Sequence, residues 1–239
     1  KRFIFLGAYL REQKEKGIIQ SIHFLNEFMK KEFKGRKGEK KYKTTLTVDE
    51  IYKLYNSNIK ADYFSRSRDY FVFCCLTGMR FSDFQQIDRT NLYNENGVRL
   101  IRKRAHKTRH ESAVEFEVPL VEVAYEIFKK YNFKFPTISN QKANAYLEKA
   151  LKESKMFDTE TPLFREDFSD EEETSQFLKR YEIISFHTGR HSFITNLIDT
   201  TPIPVLMRYT GHSKIETLMG YVKQRDLQTH YISALELNK

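Results

Sequence analysis

The sequence predicts a mainly α-helical chain with one small antiparallel β-sheet. Apolar residues recur at three- and four-residue spacing along most of it, which is the period of a helix face. Only over residues 97–118 does the pattern turn to alternation, and Pro119 stops it. Of the 239 residues, 40% are apolar, enough to build the core of one large domain, or of one domain plus part of another.

Residues 3–29 show helical spacing in two pieces: Phe3, Phe5, Leu6, Tyr9 and Leu10, then, after Gly17, Ile22, Phe24, Leu25 and Phe28. This stretch is too short for a domain and reads as the end of one. Residues 30–46 follow as a basic linker. Thr47-Val-Asp-Glu50 has capping-box spacing and predicts a helix to about Tyr55. A strongly apolar helix is predicted from Arg66 to Thr77, ending at Gly78. A short helix carries Arg80 to Ile87. The alternating stretch predicts a small sheet with Lys107 at or near a turn. Helices follow at 120–132 and 139–155, the second capped by Ser139 or Asn140. Residues 158–174 read as an irregular acidic loop, with Glu166, Asp167, Asp170 and Glu171 to Glu173. Helices at 175–181, 188–199, 203–209 and 214–221 close the domain. There are no internal repeats.

The net charge is +9, which favours a polyanionic partner. Residues 30–43 hold eight Lys or Arg against two Glu. Lys34, Arg36, Lys37, Lys40, Lys41 and Lys43 would track phosphates there; by itself the run reads equally well as a solvated loop. No apolar run reaches the length of a membrane span, and no signal-peptide pattern stands at the start. Cys74 and Cys75 are neighbours in an apolar stretch, a poor disulfide geometry, and read as buried thiols in a reducing cytoplasm. The chain begins at Lys1, so it reads as part of a longer protein.

One segment carries chemistry. His187-Thr-Gly-Arg190-His-Ser-Phe is followed by Gly-His212, 22 residues after Arg190, and by Tyr221 nine residues later. A permanently charged guanidinium, imidazoles and a phenol form a set suited to phosphoryl transfer. No carboxylate cluster or metal-ligand spacing accompanies them, so neither a metal nor another cofactor is expected. His187 and Arg190 are one helical turn apart and share a face. His191 reads as a structural, hydrogen-bonded histidine. Most of the 14 tyrosines must be core or surface; Tyr221 stands out only through the Gly-His before it.

Three blocks together resemble the tyrosine recombinases, the phage-integrase family. Thr77-Gly78-Met79-Arg80-Phe81-Ser82-Asp83 is similar to that family's first arginine motif. His187-Thr-Gly-Arg190 is similar to its His-x-x-Arg motif, and Gly211-His212 through Tyr221 to the motif that ends in the nucleophile. The resemblance covers about residues 47–225, in the family's order. Where the family usually has an apolar residue before Gly-His, this chain has Thr210, a departure that touches no catalytic position. The Lys-Thr-containing middle resembles integrases of conjugative and mobilisable transposons.

The resemblance implies a tyrosine-recombinase catalytic domain over 47–239, preceded at 1–29 by the end of a helical core-binding domain that clamps DNA. It implies Tyr221 as nucleophile, Arg80 and Arg190 clamping the scissile phosphate, and His212 hydrogen-bonding it. His187 would position or accept the tyrosine proton, and Lys107 would protonate the leaving 5′-oxygen. Lys103 is the nearest competitor for that last role. Arg102, Arg104 and Arg109 would contact backbone phosphates. The implied partners are double-stranded DNA and a homotetramer on paired sites, with an apolar tail (Leu227, Tyr231, Ile232, Leu235, Leu237) exchanged between protomers. Two rival functions remain: a type IB topoisomerase-like nicking-resealing enzyme, and a DNA-binding module without activity.

Overall fold

The computed structural model describes residues 16, 44–104, 115–163 and 176–222. The chain divides into two units, residues 1–42 with 162–176 and residues 43–161 with 177–239. Nearly all of the first unit, the helical expectation over 3–29 included, lies outside the described residues. The tail after Val222 lies outside them too.

Helix α1 spans Val48–Tyr55. Its capping box forms both ways: Glu50 N–H donates to Thr47 Oγ1, and Thr47 N–H to the Glu50 carboxylate. Helix α2, Asp62–Thr77, starts four residues before the predicted Arg66 and ends at Gly78 in the left-handed conformation. It is the core helix. Tyr70, Phe71, Val72, Phe73, Cys74 and Cys75 are all buried, so over these residues it is enclosed on every side rather than amphipathic, while its first turn is partly exposed. Its neighbours are α1 and three later helices: α4 (Glu122–Lys130), α5 (Asn140–Ser154, capped by Ser139) and α7 (Phe186–Leu197). An aromatic cluster of Tyr70, Phe73, Phe84, Phe128 and Phe135 fills the space beside it, with ring centroids 4.8 to 5.9 Å apart.

The α2–α7 contact is close. A Cβ on Gly189 would sit 3.3 Å from Cys75 Sγ and 3.4 Å from Cys74 Cβ. Any larger residue there would have to separate the two helices or displace the thiols. The buried Asp69 is satisfied by Arg68, by Lys130 Nζ at 2.7 Å and by the Tyr131 hydroxyl at 2.9 Å.

Helix α3 is a single turn, Phe81–Phe84, shorter than predicted. The sheet has three antiparallel strands in order: β1 (Leu92–Glu95), β2 (Val98–Arg104) and β3 (Glu115–Pro119). β1 was not foreseen. It is joined to β2 through Asn96 and Gly97, both at positive φ (51° and 80°), the two-residue turn that matches strand twist. Ile101 pairs with Val118 and both face the core.

Residues 160–163 and 176–179 depart from expectation. Glu160–Leu163 is a strand, β4, and Gln176–Lys179 a strand, β5; the two pair as a separate sheet. Only a single turn of helix, α6 (Arg180–Ile183), follows β5. Pairing between segments distant in sequence outweighs the local helical pattern. Arg180 then ties this region to α1, donating to the Glu50 carboxylate and, at 2.6 Å, to the Thr45 carbonyl. Helices α8 (Ile203–Thr210) and α9 (Ile215–Val222) complete the described fold; α8 packs on β3 and α9 on α7. No helix among the described residues is long and apolar enough to cross a membrane.

Candidate active site

The site begins where α2 stops. Gly78 takes φ +65°, and a Cβ there would press into the Phe193 ring. The tight turn frees the Gly78 carbonyl and places Arg80 at the N-cap of α3. Asp83, 1% exposed, lies below it, with Oδ2 3.7 Å from Arg80 Nη1. That separation is too long for a hydrogen bond. Arg80 Nη1 is buried and has no hydrogen-bond acceptor.

Helix α7 brings the second arginine. Its start is fixed by a capping box between Ser185 and Thr188. Arg190, 3% exposed, donates from Nη1 to the Gly78 carbonyl at 2.8 Å. The first motif's glycine therefore anchors the second motif's arginine. Its Nε is buried and unpaired. Burial, then the Arg80 charge, push the Arg190 pKa down to about 10, while the Tyr221 phenol and Asp83 work the other way. Arg80 and Arg190 thus lie within each other's field, and each has one buried nitrogen without a hydrogen-bond acceptor, that of Arg80 being the Nη1 that lies 3.7 Å from Asp83. Leaving such donors empty costs free energy that an incoming anion would recover.

The third part comes from the α8–α9 connection. Gly211, at φ 64°, ends α8 and turns His212 inward, where it is 5% exposed. Arg190 Nη2 is 3.0 Å from His212 Nε2 and 3.3 Å from Nδ1. Near-equal distances to both nitrogens put Nη2 over the ring face, not in line with either lone pair. Thr210 Oγ1 is 2.7 Å from Nδ1. Burial first, then the charges of Arg190 and Arg80, push the His212 pKa down to about 3. Its imidazole is neutral at neutral pH.

Helix α9 then lays Tyr221, half-buried, among three imidazoles. Its ring centroid is 5.8 Å from His187, 5.2 Å from His191 and 5.5 Å from His212. Five of the six expected catalytic side chains therefore converge: Arg80, His187, Arg190, His212 and Tyr221. The sixth, Lys107, lies outside the described residues, as do Arg109 and Lys34, Arg36, Lys37, Lys40, Lys41 and Lys43. Among the described residues, no three His, Cys, Asp or Glu side chains stand close enough to hold a metal ion.

Of the basic run, Arg104 closes β2. Arg102 is engaged by two carboxylates, Glu117 at 2.6 Å and Glu95 at 2.9 Å, and lies over the Tyr93 ring. Lys103 donates to the Asp83 carbonyl at 3.1 Å, just behind Arg80.

Sequence reasoning missed two neighbours of this site. His191 is buried, with Nδ1 3.4 Å from Thr195 Oγ1, yet its ring also meets Tyr221. His187 and His191 are four residues apart on one helix, and that spacing alone would have placed both on the Tyr221 side. Thr210 is the other, and its contact spans only two residues.

Residues 44–228 match the phage integrase family. The tyrosine recombinase XerC of Syntrophus aciditrophicus (strain SB) is 27% identical over 244 residues, covering 91% of this chain and 73% of that protein. Among solved structures, the XerH site-specific recombinase bound to palindromic difH substrate, in a post-cleavage complex, superposes with a TM-score of 0.54 at 14% identity. That match covers 80% of this chain and 53% of the XerH chain, so the present chain spans about half of it. The Tn1549 transposon integrase, in complex with a circular intermediate DNA, gives a TM-score of 0.54 at 17% identity, over 77% of this chain and 63% of that one.

Proposed function

The chain belongs to the phage integrase family, and on that premise we propose that it is a site-specific recombinase of double-stranded DNA. It cuts and rejoins strands through a 3′-phosphotyrosyl intermediate. The observation that supports this reading is the buried Arg190, which lies in the field of the partly exposed Arg80 and beside the Tyr221 phenol, each arginine keeping one buried nitrogen without a hydrogen-bond acceptor.

Tyr221 Oη attacks the scissile phosphorus. A new O–P bond forms as the bond to the 5′-oxygen breaks. His187 accepts or positions the phenol proton, and Lys107 gives a proton to the leaving 5′-oxygen. Arg80 and Arg190 hold the non-bridging oxygens, where negative charge is most crowded in the transition state. His212 adds a hydrogen bond to the same phosphate. Attack by another 5′-hydroxyl reverses the step and joins new strands. The bond energy stays in the phosphotyrosine, so no ATP is required.

In this reading residues 1–29 are the end of a DNA-clamping domain, 30–46 a basic linker along phosphates, and 47–239 the catalytic domain. Four protomers assemble on paired sites and exchange the tail after Tyr221, acting in the cytoplasm for a mobile element. Family membership supports strand exchange over topoisomerase-like nicking and resealing. The filled catalytic positions support activity over a binding module.

The test is Tyr221→Phe on a nicked suicide substrate carrying the element's end sequence. The variant should bind DNA as the wild type does and form no covalent complex. Covalent trapping by the variant, or none by the wild type, overturns the reading.

A further inference from the structure

Thr210 precedes Gly211 and His212 at the end of α8, and its hydroxyl makes two short contacts. Oγ1 is 2.7 Å from the Leu206 carbonyl oxygen and 2.7 Å from His212 Nδ1. A carbonyl has no proton to give. The Leu206 contact therefore uses the only hydroxyl proton, and Oγ1 has just its lone pairs left for the imidazole. Nδ1 must then carry the hydrogen. In a neutral ring that leaves Nε2 bare.

The surroundings keep the ring neutral until an anion comes. His212 faces Arg190 across its ring plane, the Tyr221 ring at 5.5 Å on α9, and the Arg80 charge from the α2–α3 junction. With no anion, both neighbouring charges are positive and oppose protonation. A phosphate between the guanidiniums would offset part of that positive charge and set an anion against the ring, which favours the protonated form.

We propose that Thr210 is a positioning residue: it locks His212 as the Nδ1–H tautomer, so that Nε2 can hydrogen-bond a phosphate oxygen only after taking up a proton. The phosphate step rests on the recombinase reading, whereas the tautomer does not. The proton comes from solvent and adds to the Nε2 lone pair. The resulting imidazolium donates from Nε2 to the phosphate and from Nδ1 to Thr210. Seating of the phosphate is then coupled to uptake of one proton per site. Without the Thr210 hydroxyl, the neutral ring would be free to carry its hydrogen on Nε2 and donate with no proton uptake. The single departure from the family pattern before Gly-His thus falls on the histidine's own hydrogen bond.

Nitrogen NMR of the full chain labelled at histidine tests this, with the His212 signals identified by their loss in His212→Asn. In the free wild type, Nδ1 should be protonated and Nε2 bare. Addition of dimethyl phosphate, a diester that does not itself titrate near neutrality, should protonate Nε2 as well. Thr210→Ser should behave like the wild type, and Thr210→Val should move the hydrogen to Nε2 in the free protein. Strand cleavage by the wild type should fall about tenfold per pH unit once pH exceeds the His212 pKa in the complex, and Thr210→Val should flatten that profile. An Nε2–H ring in the free wild type overturns the proposal, as does an unchanged tautomer in Thr210→Val. A chain that never forms a phosphotyrosine but shows the tautomer change refutes the recombinase reading and leaves the Thr210 lock standing.

Discussion

Acid should weaken this fold through His212 by an amount the structure sets. The ring is 5% exposed, and its pKa is pushed down to about 3 by burial and by Arg190 and Arg80. Unfolded, the same ring titrates near ~6.5. Below that value the unfolded chain binds a proton that the folded chain refuses, so stability falls as pH falls. The contribution is whole above ~6.5 and is lost progressively down to the folded pKa. Each pH unit in that window removes about 1.4 kcal/mol, so the two units from ~6.5 to ~4.5 remove about 2.7 kcal/mol. Other groups titrate in the same range, so the measurement is a difference. Urea unfolding of the wild type and of His212→Gln, followed by circular dichroism at pH 7 and pH 4.5, isolates the histidine. The wild type should lose about 2–3 kcal/mol more than the variant between the two. Equal losses would refute the reasoning, because they would mean the folded ring takes up its proton as readily as the unfolded one.

Gly78→Ala should lose about 2–4 kcal/mol in thermal or urea unfolding, since a left-handed alanine costs about 1 kcal/mol and its Cβ must also displace the Phe193 ring. DNA cleavage by that variant should fall further than its stability explains, because the Gly78 carbonyl holds Arg190. Asp69→Ala leaves the buried Arg68 without its carboxylate and frees Lys130 and Tyr131; the expected loss is about 3–5 kcal/mol by urea unfolding. Lys107→Ala should slow cleavage of an ordinary phosphodiester and be largely rescued when the leaving 5′-oxygen is replaced by sulfur, which needs no proton. Equal single-turnover defects on both substrates would move the general acid elsewhere.

What the sequence disclosed and what it hid follow from the range of the interactions concerned. Thr47 and Glu50 announce α1 because a capping box closes within three residues. Gly78 announces the end of α2 because the left-handed turn it needs is a property of one residue. Arg80, Arg190, His212 and Tyr221 were legible as a set because they sit in three short motifs. Their distances were not, since Arg190 reaches the Gly78 carbonyl across 112 residues. β1 was hidden because its four residues are mostly exposed and do not alternate, although Asn96-Gly97 marked its turn. β4 and β5 were hidden because each exists only by pairing with the other. Thr210 was readable as a departure, but its meaning lay in where the Leu206 carbonyl points, and no spacing rule encodes that.

The paired thiols of α2 have a use of their own. Cys74 and Cys75 are sealed against α7 beneath Gly189, and burial pushes both thiols well above their ordinary pKa. In the closed fold they are neither accessible nor ionised, so a thiol reagent gains entry only when the packing around α2, its contact with α7 included, opens. One of those helices ends in Gly78 and the other carries Arg190. The labelling rate at neutral pH therefore tracks how often the core around the Gly78–Arg190 contact opens, read without DNA and without mutation.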